Sequence, residues 1–183
     1  MSAAHNPLRP PMTRPTGRFL LAHPAHAIAL GFGSGLSPKA AGTVGTLWAW
    51  AAFLALQPSM NEARWGLLLL ISLPLGWWAC SVTARHLQAA DPRCIVWDEI
   101  IAFWLVLWLL MPAGWPEQLL AFALFRYFDA AKPGPVRWAD RLYHDMDPSH
   151  TRHGWAKAGW GILFDDLVAA FCTLLLLALW RTF

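Results

Sequence analysis

Four long apolar runs constrain this chain more than any other feature. Thr43–Leu56 reads TVGTLWAWAAFLAL, and Trp65–Val82 reads WGLLLLISLPLGWWACSV. Ile95–Met111 reads IVWDEIIAFWLVLWLLM, and Ile162–Trp180 reads ILFDDLVAAFCTLLLLALW. A fifth run, Glu117–Phe128, is shorter. A membrane-crossing helix needs about 20 apolar residues, within a range of about 17–25. The first and fifth runs reach that length only with their flanks, or else lie at the interface. Residues 19–32 form a candidate interfacial helix, although His23, Pro24 and His26 make them a poor signal-peptide core. Composition agrees with lipid as the solvent. Charged residues make up 14% of the chain, against about 25% in a soluble domain. The expected fold is therefore all-α: a polytopic membrane helical bundle of four to five spans. One domain is expected over residues 19–183, behind a mobile tail over residues 1–18 rich in Pro and Arg.

Lys and Arg placement sets the expected orientation. With five spans and a cytoplasmic N-terminus, Arg9, Arg14, Arg18 and Lys39 lie inside. Arg85 and Arg93 follow in the second inner loop, and Lys132, Arg137, Arg141, Arg152 and Lys157 in the third. Only Arg64 and Arg181 remain outside. The net charge of +3 comes without a basic run, so no nucleic-acid partner is expected. Cys80, Cys94 and Cys172 have neither metal spacing nor an even count, and read as reduced packing residues.

Under this topology the acids gather at one boundary. Asp98 and Glu99 open the third run, Asp165 and Asp166 fall in the first turns of the last, and Asp129 closes the fourth span. A carboxylate at mid-bilayer costs at least ~2.5 kcal/mol on insertion scales. A favourable helix dipole offsets only about 0.3–1 kcal/mol, and only at a helix start. That accounts for one acid, not for two adjacent pairs plus Asp129. Clustered carboxylates suit a hard cation, and Mg²⁺ with phosphate oxygens is the usual use. The candidate metal ligands are Asp98, Glu99, Asp129, Asp165 and Asp166.

The run Phe125–Pro135, FRYFDAAKPGP, supplies cations beside these acids. Arg126 and Asp129 share a helix face, and Lys132 stands where the helix ends. An arginine fork and a lysine point charge are typical phosphate ligands. Upstream, residues 31–46 hold five glycines. They form either a helix-packing loop or an anion-binding one, with Ser34 and Thr43 as candidate hydroxyl donors. Two other patterns carry little weight. Asp145-Met-Asp147 resembles a haloacid-dehalogenase nucleophile pattern but follows no apolar strand. His144, His150 and His153 read as scattered loop histidines.

GFGSGLSPKAAGTVGT, IVWDE, FRYFDAAKPGPVRWADR and GILFDD occur in the order seen in the phosphatidylglycerophosphatase A family. The chain resembles that family from about Gly31 to Ala170. The resemblance implies a phosphoric monoester hydrolase of the bacterial inner membrane, and the apolar runs and Lys/Arg placement make it multi-pass, with its active site facing the cytoplasm. It implies Mg²⁺ as cofactor, and phosphatidylglycerol phosphate as lipid substrate. The family's motif acids fall on Asp98, Glu99, Asp129, Asp140, Asp165 and Asp166, and its bases on Arg126, Lys132 and Arg141. Catalysis is expected from Asp98, Glu99, Asp129, Lys132 and Asp166. Phosphate binding is expected from Arg126, Lys132, Arg141, Ser34 and Thr43. The nucleophile is water or one of the carboxylates. Ala41 stands where the family often has Pro, and Thr46 where it often has Ser. Residues 143–160 read as a longer, more polar loop than the family's. The competing reading is a small ion-coupled transporter, which needs carboxylates at mid-membrane depth.

Overall fold

A computed structural model describes residues 14–144 and 148–182. Most of the expected tail, residues 1–13, lies outside that range, as do Asp145 and Asp147. The described residues form helices without strands, in agreement with the all-α expectation. The stretch expected as one interfacial helix is two short ones, α1 (Gly17–Leu21) and α2 (Pro24–Ala29). They part at His23, whose side chain caps α2 and precedes Pro24. A 3₁₀ turn over Gly31–Leu36 follows.

The bundle proper contains α3 (Ala41–Leu56), α4 (Glu62–Leu87), α5 (Trp97–Leu110), α6 (Trp115–Ala131) and α8 (Gly154–Arg181). α7 (Pro135–His144) lies between the last two. α5 is the central element, with ten of its fourteen residues buried, and it packs against α3, α4, α6 and α8. Its apolar run has no polar face because neighbours cover most of it, leaving Leu109 as its one well-exposed side chain. Pro112 stops it, holding Met111 in an extended conformation.

Only α4 and α8, with 26 and 28 residues, are long and apolar enough to cross a membrane among the described helices. α3, α5 and α6 have 16, 14 and 17 residues. At 1.5 Å per residue, α5 is only about 21 Å long. Large apolar side chains on α4 and α8 face outward, among them Leu67, Leu70, Ile71, Phe171 and Leu175. Exposed apolar surface of this kind marks a partner phase such as lipid.

Arg181 ties one end of the bundle together. Its guanidinium donates to the carbonyls of Leu110 (2.8 Å) and Pro112 (3.1 Å), and pairs with Glu117 at 3.2 Å. This joins the C-termini of α5 and α8 to the start of α6. The opposite end collects the first turns of α3 and α5 and the last turns of α4 and α6.

One expectation changes here. Asp165 and Asp166 are not in the first turns of their helix, because α8 begins at Gly154. Residues 154–160, GWAKAGW, read as loop in the sequence but belong to the helix. Three turns inside α8, these acids gain nothing from the dipole, which fades within the first turn.

Candidate active site

The two N-terminal helix ends and two C-terminal ends enclose a cavity of about 1050 Å³. Asp98, Glu99, Asp129, Asp165 and Asp166 all line it, with Arg126 and Lys132. Local chemistry explains each position. Asp98 and Glu99 occupy the first turn of α5, where the helix dipole favours acids. Arg126 and Asp129 sit one turn apart near the end of α6 and form an ion pair. Lys132 caps α6 in the left-handed region, at φ 44° and ψ 54°. Glycine usually fills such a cap, so a lysine there points to a role for its side chain.

The acids divide into two groups. Asp98, Glu99 and Asp166 each present an oxygen such that all three lie within 4.8 Å of one another. Among the described residues this is the one group of three or more metal-ligating side chains so placed. Each of the three also has a buried oxygen without a hydrogen-bond partner: Asp98 Oδ1, Glu99 Oε2 and Asp166 Oδ2. Asp166 is 2% exposed and Glu99 9%. Three carboxylates with buried oxygens at this spacing repel one another, which is several kcal/mol unfavourable per ion without compensation. A hard divalent cation supplies that compensation, so these residues fit Mg²⁺.

Asp129 and Asp165 have cationic partners instead. Asp129 pairs with Arg126 and also reaches Asp166. Asp165, 5% exposed, pairs with Lys132. The Lys132 ammonium also donates to Asp140 Oδ1 at 2.6 Å. Burial opposes the lysine's charge, but the Asp165 and Asp140 carboxylates outweigh it and hold its pKa above the ordinary range. Lys132 is therefore a fixed cation. Arg126 Nη1 further lies 3.9 Å from Glu99 Oε1 and 3.5 Å from Thr46 Oγ1, while its Nε is buried without a partner.

The glycine-rich run serves close packing against the start of α5. A Cβ on Gly42 would meet Glu99 Oε1, and would lie 3.2 Å from Arg126 Nη1. A Cβ on Gly45 would lie 2.8 Å from that of Val96. Gly42 lines the cavity, but the two candidate hydroxyls do not. Ser34 Oγ donates to the Gly31 carbonyl at 2.9 Å, and Thr43 lies away from the lining. Arg141 also falls outside, on a separate hollow along α7.

Sequence reasoning missed Arg14, Asp91 and Arg93, which line the cavity as well. Arg14 and Arg93 are exposed, so they form its rim. The available signal was their position on the same predicted face as the acids, which served only to assign orientation.

The phosphatidylglycerophosphatase A family model matches residues 27–181, most of the chain and every residue of the acidic triad. The chain belongs to this family. Among curated relatives, phosphatidylglycerophosphatase A of Escherichia coli is 36% identical over 152 residues, covering 83% of this chain and 80% of its own length. The Haemophilus influenzae protein of the same name is 33% identical over 156 residues, covering 85% and 88%. A Bacteroides thetaiotaomicron relative bears the provisional name phosphatidylinositol-3-phosphatase. It is 34% identical over 162 residues, covering 84% and 91%. No solved structure matches the chain. Membership of the phosphatidylglycerophosphatase A family makes the chain a phosphatase acting on a phosphate monoester.

Proposed function

We propose that this protein is a Mg²⁺-dependent lipid phosphatase of the bacterial inner membrane. It removes the terminal phosphate of phosphatidylglycerol phosphate at the cytoplasmic face, giving phosphatidylglycerol and inorganic phosphate. One observation carries this reading: a buried carboxylate triad and two anchored cations share one cavity at one end of an apolar bundle. A lipid phosphate monoester presents its headgroup at that depth. We read four to five spans, with α4 and α8 crossing fully. α3, α5 and α6 are shorter spans within the same bundle, and neighbouring helices shield α5 from lipid.

Asp98, Glu99 and Asp166 would hold Mg²⁺, which would supply charge neutralisation at the phosphoryl oxygens. The remaining work falls to fixed side chains. Arg126, immobilised by Asp129, presents its unpartnered Nε and its fork toward a phosphate. Lys132, held between Asp140 and Asp165, offers a second positive charge that needs no reorganisation as charge spreads over the equatorial oxygens. The first turns of α3 and α5 add their positive dipole ends at the cavity wall. Arg14 and Arg93 stand at the rim. The substrate carries a phosphodiester beside its terminal monoester, and these two arginines are the natural partners of the diester.

An ion-coupled transporter finds no support, because the acids are interleaved with cations at one end of the bundle rather than strung along a path. The test is phosphate release by purified protein from a panel of lipids in mixed micelles. Phosphatidylglycerol phosphate is the expected preferred substrate, ahead of phosphatidate and phosphatidylinositol 3-phosphate. A preference for either of the others would overturn the substrate assignment. Absence of release from all three would overturn the activity.

A further inference from the structure

We propose that α7 carries a second lipid site, separate from the catalytic cavity, that binds the phosphate headgroup of a non-substrate anionic phospholipid. This inference rests on the reading of the chain as a lipid phosphatase embedded in a membrane. α7 is strongly two-sided. Val136 and Ala139 are buried, and Asp140, its one acid, turns inward to Lys132. Arg137, Trp138, Arg141 and Leu142 face outward, and Trp138 and Leu142 are 59% and 46% exposed. With Gly134 they line a hollow of about 370 Å³ that is distinct from the catalytic cavity. Arg137 and Arg141 are four residues apart, so their guanidinium groups share one face.

The length of α8 sets the depth of this hollow. Twenty-eight residues make a helix about 42 Å long, whereas the hydrocarbon core is about 30 Å thick. The first two turns of α8, before Ile162, carry Lys157 and the tryptophans Trp155 and Trp160 ahead of the main apolar run, and are the part that projects. α7 packs on this stretch. A Cβ on Gly161 would meet Tyr143. The rings of Trp138 and Tyr143 stand 6.4 and 6.0 Å from that of Phe164, and Trp160 stacks on Phe164 at 6.4 Å. Aromatic rings gathered at one level mark the membrane–water interface. At that level the occupant that matches two outward arginines and an exposed indole is an anionic lipid. Its phosphate suits the guanidinium forks, and its glycerol and upper chains suit Trp138 and Leu142.

Spin-label electron paramagnetic resonance tests the site without relying on turnover. Full-length protein is reconstituted in phosphatidylcholine vesicles with trace spin-labelled phosphatidylserine or phosphatidylcholine, and the motionally restricted fraction is measured. Wild type should select phosphatidylserine over phosphatidylcholine at least about fivefold, the gain expected of a basic residue at an anionic surface. The double variant Arg137→Gln/Arg141→Gln should lose that preference, whereas Arg137→Lys/Arg141→Lys should keep part of it. Asp166→Asn, altered in the catalytic cavity, should keep it in full. No preference in wild type, or a preference unchanged by the glutamine pair, would overturn the site. Loss of the preference in Asp166→Asn alone would put the anionic lipid in the catalytic cavity and also overturn it. Displacement by millimolar inorganic phosphate, but not by chloride at equal ionic strength, would make the ligand a free anion. A dead phosphatase that still selected phosphatidylserine would leave the site standing and remove only the activity.

Discussion

At the scale of single residues, the nearest partner separates the five acids. Asp98, Glu99 and Asp166 converge on one another, with Arg126 at the edge of Glu99, while Asp129 and Asp165 each hold a cation directly. The two groups should respond differently to the same chemical change. Asp165→Asn removes one anchor of Lys132 and leaves the triad intact. We expect turnover of phosphatidylglycerol phosphate to fall about 10- to 100-fold, with the half-saturating Mg²⁺ concentration unchanged. That is the size of effect expected from a loosened transition-state donor. Steady-state assays across a Mg²⁺ series decide it, and a raised Mg²⁺ requirement would return Asp165 to the metal ligands. Lys132 belongs to the same argument. Its left-handed backbone disfavours a side chain, and its ion pairs with Asp140 and Asp165 are what the position gains in return.

At the scale of elements, the site depends on how closely α3 approaches α5. Gly42→Ala would place a methyl group against Glu99 Oε1. The expected result is about a 100-fold loss of turnover, since a displacement near 1 Å at a catalytic group has that effect. Helicity by circular dichroism should be unchanged. Wild-type turnover in this variant would mean that Glu99 has room to move and that the close approach is incidental. Some of these elements were legible in the sequence. The first-turn position of Asp98 and Glu99 follows from the sharp apolar start at Ile95. The Arg126–Asp129 pair follows from helical spacing alone. α7 was not legible, because a run alternating charged and aromatic residues looks the same in a loop as on an amphipathic helix. The start of α8 is masked by its glycines, Gly154, Gly159 and Gly161, so the sequence alone puts Asp165 and Asp166 in first turns where the helix is already three turns old. The bond between Lys132 and Asp165 spans 33 residues of sequence, and no local pattern announces such a pair. Residue type alone marks Ser34 and Thr43 as hydroxyl donors, but neither lines the cavity, and Ser34 is bonded to the Gly31 carbonyl.

At the scale of the whole molecule, the chain sorts charge by end. The carboxylates, Arg126 and Lys132 meet at one end, and Arg181 with Glu117 closes the other. If the cavity faces the cytoplasm, single cysteines at Ser149 and Glu62 in a cysteine-free background should report opposite sides. An impermeant maleimide on intact cells should label position 62 and leave position 149 unlabelled until the cells are opened. Labelling of position 149 in intact cells would invert the assigned orientation. If Asp98, Glu99 and Asp166 hold the cation on which hydrolysis depends, phosphate release from phosphatidylglycerol phosphate should follow Mg²⁺ in a titration of wild type and Asp166→Asn. Wild type should be inactive in excess chelator and recover with Mg²⁺. The variant should be slower by about 10²- to 10³-fold, with a raised Mg²⁺ requirement. Full wild-type activity in chelator, or near-normal turnover by folded Asp166→Asn, would rule out that role.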